Sequence, residues 1–155
     1  MNPKLLIGVI GAGRASQDGM RLAEEVGCLL AQSGAVLICG GLGGVMEAAC
    51  RGAVSAGGET IGLIPGADWL AANPYVRIVL PTGLGHARNV LICQAARALI
   101  AIEGEYGTLS EMAIALKLGR PVVALNSWND IPGVHRAETA AEAVSLALQL
   151  AGPGC

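Results

Sequence analysis

The sequence predicts an α/β fold of three layers, in which helices cover both faces of one parallel sheet. Short apolar runs alternate with longer segments whose apolar residues recur with helical period. The runs lack alternating polar residues, as expected of strands buried on both faces. Glycine-rich turns follow several runs, which is typical of a Rossmann-like doubly wound parallel sheet that binds ligands at the carboxyl ends of its strands.

The strands and helices follow one another along the chain. The predicted strands are residues 5–10, 36–39, 60–64, 76–80, 98–102 and 122–125. The predicted helices are residues 17–33, 44–56, 85–96, 109–118 and 137–148. Residues 65–75 contain two prolines, a glycine and an asparagine, and we expect a surface loop that lies over the ligand crevice. We expect a single domain over residues 1–155, with 151–155 as a flexible tail.

Composition limits the classes of partner. Hydrophobic residues make up 53% of the chain and charged residues 14%, so we expect subunit contacts in a homo-oligomer, a dimer or tetramer, to cover apolar surface. A net charge of −2, scattered basic residues and the absence of Phe argue against extended nucleic-acid binding. The uncharged stretch 26–46 is interrupted by six glycines, which argues against a membrane span.

The cysteines and the N-terminal residues indicate the cellular compartment of the protein. The five cysteines are odd in number and lack metal-ligand spacing; they are Cys28, Cys39, Cys50, Cys93 and Cys155. Such thiols are common in protein cores and predict a reduced, cytoplasmic protein. Residues 4–13 only weakly resemble a signal peptide, and a buried strand that runs into a glycine turn explains them equally well.

The first turn, "GAGRAS", begins like a dinucleotide-binding fingerprint. Ser16 stands where the third glycine belongs, and the second strand ends in Cys39 rather than in an acidic residue, so NAD binding is disfavoured. Two interpretations remain open for this turn. It is either a tight turn with Arg14 at the surface, or a place where Gly11, Gly13 and Arg14 contact a phosphate.

The second turn, "GGLGG", is more specific. Gly40, Gly41, Gly43 and Gly44 fall within five positions, directly before the helix that contains Met46. Glycines let backbone amides converge on an anion. Close packing of helix on sheet is the alternative explanation. The turn is no P-loop, because the GxxxxGK[ST] pattern is absent.

The last turn, "EGEYGTLSEM", has a structural and a functional interpretation. Thr108 and Glu111 fit a capping box, which stabilises a helix start by about 1 kcal/mol. Capping does not explain Gly104 and Gly107. We expect a second polar group, made of His86, Arg88 and Asn89, at the same edge of the sheet.

Within that polar group, Arg88 has three interpretations. Its guanidinium can clamp a phosphate or carboxylate, while a nearby glutamate orients a hydroxyl or water. The other interpretations of Arg88 are a surface charge and an ion-pair partner for Glu111.

Three segments together resemble the LOG-like family, whose members are often mislabelled as lysine decarboxylases. The segments are "CGGLGGVMEAACRGAVSAGG", "GHARNVLI" and "EYGTLSEMAIALKLGRPVV". The resemblance is strongest to the branch that includes molybdenum-cofactor carriers. In this family a PGGxGTxxE motif and an earlier arginine line a nucleoside-monophosphate site, and enzymatic members release base and ribose 5-phosphate.

The resemblance implies roles for individual residues. Arg88 and Glu111 would be the catalytic pair. The phosphate and sugar would be surrounded by Gly40, Gly41, Gly44, Gly104, Gly107 and Thr108. We place Met46 and Asn89 beside them as further ligand-binding residues.

The chain departs from the family motif at two positions. Glu103 replaces the proline and Glu105 the second glycine, and two carboxylates repel a phosphate unless they point away or meet cations. Pyridoxal-dependent decarboxylation is rejected, because Lys4 and Lys117 lie away from the expected site. We expect no metal site, because His86 and His135 lack a ligand cluster.

The leading hypothesis is a protein that binds a nucleoside 5'-monophosphate or related phosphorylated ligand and hydrolyses its N-glycosidic bond. The alternative, favoured by the altered "EGE" loop, is a non-catalytic carrier or sensor of molybdenum cofactor or nucleotide. A regulatory oligomer with an empty pocket is a third hypothesis. None needs a further cofactor, because the nucleotide or molybdenum cofactor is itself the ligand.

Overall fold

The computed structural model describes residues 1–152 and confirms one domain built on a parallel sheet. The strands are β1 (Leu6–Gly11), β2 (Val36–Cys39), β3 (Thr60–Ile64), β4 (Ile78–Pro81), β5 (Ala98–Ile102), β6 (Val122–Leu125) and β7 (His135–Ala137). The helices are α1 (Gln17–Gln32), α2 (Val45–Ser55), α3 (Arg88–Ala95), α4 (Tyr106–Lys117) and α5 (Ala140–Ala151). Short 3-10 helices span Trp69–Ala71 and Gly85–Ala87.

The sheet order is β4-β3-β2-β1-β5-β6-β7, and every neighbouring pair is parallel. The chain starts at the central strand β1 and winds outward to β4. It then crosses back to β5 and winds outward in the other direction to β7. The winding reverses beside β1, and ligands of such sheets bind at that reversal, outside the carboxyl ends of the strands.

Two apolar cores lie on the two faces of the sheet. One face packs against α1, α2 and α5, and the other packs against α3 and α4. The central strands β2, β5 and β6 are buried along their whole length. This burial explains their uninterrupted apolar sequence.

The backbones of α1 and α2 touch where two glycines meet the facing helix. A Cβ built on Gly27 would lie 1.9 Å from the carbonyl oxygen of Ala49, and one on Gly52 would lie 1.9 Å from that of Glu24. Arg51 of α2 also forms a 2.8 Å ion pair with Glu24. Glycine at both positions therefore sets the distance between the two helices.

The structure corrects the expected elements at the C-terminal end. The polar strand β7 was not predicted, because its His135 and Arg136 are exposed and give no apolar run. Helix α5 starts at Ala140 rather than 137, since the Thr139 hydroxyl caps it by accepting from the Glu142 amide at 3.1 Å. Ala151 was expected in a flexible tail, but it is helical and buried; residues 153–155 lie outside the described residues.

The structure of residues 1–152 can be compared with two further expectations, that the cysteines are reduced and that no segment spans a membrane. Cys28, Cys39, Cys50 and Cys93 are free thiols, and Cys155 lies outside the described residues. The Sγ atoms of Cys39 and Cys50 are 3.5 Å apart in the core. Among the helices of residues 1–152, none has both the length and the apolar character needed to cross a membrane.

Candidate functional site

A cavity of about 190 Å³ opens at the carboxyl ends of β1 and β2, beside the first turns of α3 and α4. Its lining comes from five segments of the chain: Val9, Ile10, Gly11, Gly40, Met46, His86, Arg88, Asn89, Glu105, Gly107, Thr108 and Glu111. Ligand pockets for drug-sized molecules usually measure about 300–1,000 Å³. The cavity therefore has room for part of such a ligand, for example a phosphate with its attached carbon chain.

The structure divides the predicted site residues into two groups. Those that line the cavity are Gly11, Gly40, Met46, Arg88, Asn89, Gly107, Thr108 and Glu111. Those that do not line it are Gly13, Arg14, Gly41, Gly44 and Gly104. The two members proposed as a catalytic pair, Arg88 and Glu111, face the same cavity although they are far apart in sequence.

The glycines outside the lining shape the turns around it. Gly44 has a φ of 66°, and a Cβ there would lie 2.2 Å from the carbonyl oxygen of Ala12. The amide of Val45 donates to that same carbonyl at 2.9 Å, which ties the second turn to the first. Gly104 has a φ of 101°, and its missing Cβ leaves space for the hydroxyl of Thr108.

Arg88 is the first residue of α3 and is buried. Its Nε donates to the carbonyl oxygen of Leu63 at 2.8 Å, its Nη2 to that of Gly40 at 3.4 Å, and its Nη1 to Oδ1 of Asn89. A Cβ on Gly40 would come within 2.6 Å of Nη2, so the glycine leaves room for the guanidinium. Arg88 thus holds the ends of β2 and β3 together while it brings positive charge to the cavity.

Glu111 lies on α4 and lines the cavity. Within residues 1–152, its carboxylate has no hydrogen-bond partner and no ion pair shorter than 4 Å. Burial raises the pKa of this carboxyl to about 7, and the positive charge of Arg88 opposes the rise. Burial lowers the pKa of Arg88, and the negative charge of Glu111 opposes that decrease. A protonated Glu111 can donate a hydrogen bond to a bound phosphate, whereas a charged one repels it.

The expected capping box at Thr108 and Glu111 is wrong. Helix α4 begins at Tyr106, after Glu105, and the side chain of Glu105 makes no capping hydrogen bond. Thr108 therefore lies inside the first turn, where it is buried beside Gly104. Capping no longer explains the Thr and Glu of this motif, and their exposure to the cavity is the remaining structural reason for their polarity.

The two unusual carboxylates of the "EGE" loop point in different directions. Glu103 turns away from the cavity and accepts hydrogen bonds from the amide of Ser16, at 3.0 Å, and from the hydroxyl of Ser16. Glu105 lines the cavity. Only one of the two replacements therefore adds negative charge where a phosphate would bind.

Sequence reasoning missed part of the lining. Val9 and Ile10 belong to the apolar run of β1, and no sequence signal distinguishes them from other core residues. His86 was predicted to lie in the polar group with Arg88 but was not assigned to the ligand-binding residues, and it lines the cavity. Glu105 was recognised only as a departure from the motif, and its place at the start of α4 follows from the correct helix boundary.

Comparison with known proteins places this fold and crevice in a family. Residues 4–150 match the SLOG cluster4 family. The chain belongs to the SLOG cluster4 family. An uncharacterized protein of Archaeoglobus fulgidus is 47% identical over 142 residues, which cover 92% of this chain and 93% of that protein.

Two solved structures are similar to this SLOG cluster4 chain along nearly its whole length. The molybdenum cofactor binding protein of Rippkaea orientalis superposes with a TM-score of 0.90 at 34% identity, over 97% of this chain and 99% of that one. The Moco carrier protein of Chlamydomonas reinhardtii gives a TM-score of 0.86 at 37% identity, over 96% and 98%. The expected resemblance to the branch that includes molybdenum-cofactor carriers is confirmed.

Proposed function

We propose that this SLOG cluster4 protein binds the molybdenum cofactor and carries it without chemical change. The observation that carries the proposal is the near-complete structural match to proteins that bind or carry this cofactor. The cofactor is a pterin that ends in a phosphate, and a cavity of about 190 Å³ suits that end of the molecule. The pterin itself would lie outside the cavity, at the carboxyl edge of the sheet.

The contacts of Arg88 support the binding of a phosphate in the cavity. Its donors are engaged by carbonyl oxygens and by Asn89, so the guanidinium is held in place by the protein before a ligand arrives. Fixed positive charge of this kind stabilises a phosphate without reorganisation. The amides at Gly40 and Gly107 and the hydroxyl of Thr108 are the further donors we assign to the phosphate.

The test is copurification from a host that makes the cofactor. We expect protein purified without oxygen to contain molybdenum and pterin in similar amounts, measured by mass spectrometry and by fluorescence after oxidation. Arg88→Ala should lose most of both, because an uncompensated phosphate has little affinity for the cavity. Arg97→Ala is the matched control, because Arg97 is exposed and precedes β5 at the opposite edge of the sheet. Wild-type protein that carries neither pterin nor molybdenum would contradict the proposal.

A second candidate function is hydrolysis of the N-glycosidic bond of a nucleoside 5'-monophosphate. Glu111 favours it, because a buried carboxyl in a cavity with a pKa of about 7 is suited to general acid–base catalysis near neutral pH. Chromatography of free base after incubation with a panel of nucleoside monophosphates tests this function. Release of base by wild-type protein and its loss in Glu111→Gln would support it, and no release would exclude it for that panel.

We also propose that copies of the chain associate in the cytoplasm as a homo-oligomer, a dimer or tetramer. The support is a set of exposed apolar side chains on neighbouring elements at the β4 side of the sheet: Trp69, Leu70, Ile78, Leu80, Leu84, Val90 and Leu91. Neighbouring elements in this set are in contact with one another. A cytoplasmic location is supported by the four free thiols within residues 1–152.

A further inference from the structure

The N-terminus of α1 is occupied by a carboxylate of the protein itself. Oε2 of Glu103 accepts from the Ser16 amide at 3.0 Å, and its other oxygen accepts from the Ser16 hydroxyl. That hydroxyl in turn accepts from the Gly19 amide at 3.0 Å. The amides of Ser16 and Gly19 at this helix start are therefore engaged within the protein.

In doubly wound sheets this helix start has a characteristic use. The helix after the first strand directs its free amides and its positive dipole end at the pyrophosphate of a dinucleotide. Here Glu103 fills that position, and Gly19 leaves the space for it: a Cβ at Gly19 would lie 2.5 Å from the carboxyl carbon of Glu103. A second phosphate at this turn would meet a carboxylate and find no free amide at Ser16.

The backbone around Glu103 holds the carboxylate in place. Glu103 has a φ of 52°, a left-handed conformation that is uncommon for residues other than glycine. Its amide donates to the carbonyl oxygen of Asn126 at 3.1 Å, and its own carbonyl oxygen accepts from the Ser127 hydroxyl. Contacts on both sides of the peptide thus keep this conformation and aim the side chain at α1.

We infer that Glu103 determines ligand specificity by closing the pyrophosphate position at α1, so that the site takes a pterin monophosphate and rejects the corresponding dinucleotide. The inference rests on the proposed function for the cavity and names the ligand class. Its physical basis is charge repulsion together with the engagement of the Ser16 and Gly19 amides, which are not free to donate to a bound anion. One phosphate binds in the cavity, and a second one at the start of α1 would lie against the carboxylate of Glu103.

The experiment compares two pairs of ligands by calorimetry under nitrogen. One pair is the pterin monophosphate form of the molybdenum cofactor and its guanine dinucleotide form, and the other is inorganic phosphate and inorganic pyrophosphate. Wild-type protein should prefer the single-phosphate member of each pair by about tenfold or more, as expected for one unfavourable charge contact. Equal affinities within each pair would overturn the inference.

Variants separate the position of Glu103 from a general charge effect. Glu103→Gly keeps a residue that tolerates the left-handed backbone, and it should reduce the preference to about threefold or less by strengthening pyrophosphate binding. In that variant, pyrophosphate should shift the NMR signals of the Ser16 and Gly19 amides. Asp18→Asn is the matched control, because it removes a negative charge from the same helix turn without freeing Ser16, and it should keep the preference. A preference unchanged in a folded Glu103→Gly variant would overturn the inference, and so would its loss in Asp18→Asn.

The outcomes also distinguish this inference from the proposed function. If wild-type protein binds phosphate but not pyrophosphate, and binds no pterin, the carrier proposal fails while the role of Glu103 stands. If it binds both pterin forms equally, the carrier proposal stands and the role of Glu103 fails. If it binds none of the four compounds, both fail.

Discussion

At the scale of single residues, Glu111 couples the stability of the protein to pH, because its carboxyl group is buried beside the cavity. Its pKa is raised from 4.5 to about 7 by burial. The folded protein therefore binds this proton more tightly than the unfolded chain does. The stability gained from the bound proton is complete below pH 4.5 and is lost as the pH rises through about 7.

Glu111→Gln should remove this dependence on pH. At pH 8 we expect the variant to exceed wild type in free energy of unfolding by on the order of 1–3 kcal/mol, and at pH 4.5 to differ little from it. Urea denaturation at both pH values measures the difference. Glu25→Gln, at an exposed position of α1, is the control. Its difference from wild type in free energy of unfolding should be the same at pH 4.5 and at pH 8. A gain of the same size at pH 4.5 and 8 would contradict the burial of a charge at Glu111.

The α1–α2 pair depends, at the scale of elements, on glycines that bring the two backbones into contact. Gly27→Ala should lower the free energy of unfolding by about 1–3 kcal/mol or more, because its Cβ would overlap the backbone of α2. Gly107→Ala is the matched helical control: a Cβ there meets nothing within 4 Å, so we expect stability to stay constant or rise slightly. Thermal denaturation of both variants tests the contact. A Gly27→Ala variant as stable as wild type would show that the helices are free to separate.

The elements that could be predicted from sequence are those whose residues face the core on both sides. Strands β2, β3, β5 and β6 were predicted with their observed boundaries, because an apolar run ends where burial ends. The start of α4 could not be predicted. Its N-cap residue, Glu105, makes no side-chain capping bond, and Thr108 and Glu111, three and six residues further on, gave a false capping signal. Strand β7 was missed for a related reason, since an exposed edge strand needs no apolar pattern.

The site could be predicted in part because helix N-termini and loops of a parallel sheet meet at one edge. That rule brought Arg88, Glu111 and two glycine turns together before their distances were known. It could not give the direction of individual side chains. Glu103 and Glu105 are two residues apart, and one points to α1 while the other lines the cavity, a difference that depends on the left-handed backbone at Glu103.

At the scale of the whole molecule, several of the large apolar side chains that residues 1–152 leave exposed lie on neighbouring elements at the β4 side of the sheet. If copies associate there, Leu91→Glu should weaken the oligomer, because the side chain is 40% exposed on α3 and its charge would be desolvated in an apolar interface. Light scattering after size exclusion should then give a lower mass than wild type. Ser145→Glu adds the same charge to an exposed position of α5, on the other layer, and should leave the mass unchanged. Equal masses for wild type and Leu91→Glu would rule out an interface through this residue.

The contact between α1 and α2 has a consequence for how the molecule responds to a ligand. The helix backbones are in close contact at Gly27 and Gly52, and the turns before the helices are joined by the hydrogen bond from the Val45 amide to the Ala12 carbonyl oxygen. We therefore expect the two turns to move together rather than as two independent loops. An anion held by the second turn alone would slow solvent exchange of amides in the first, and a change at either turn would be felt across the central crevice.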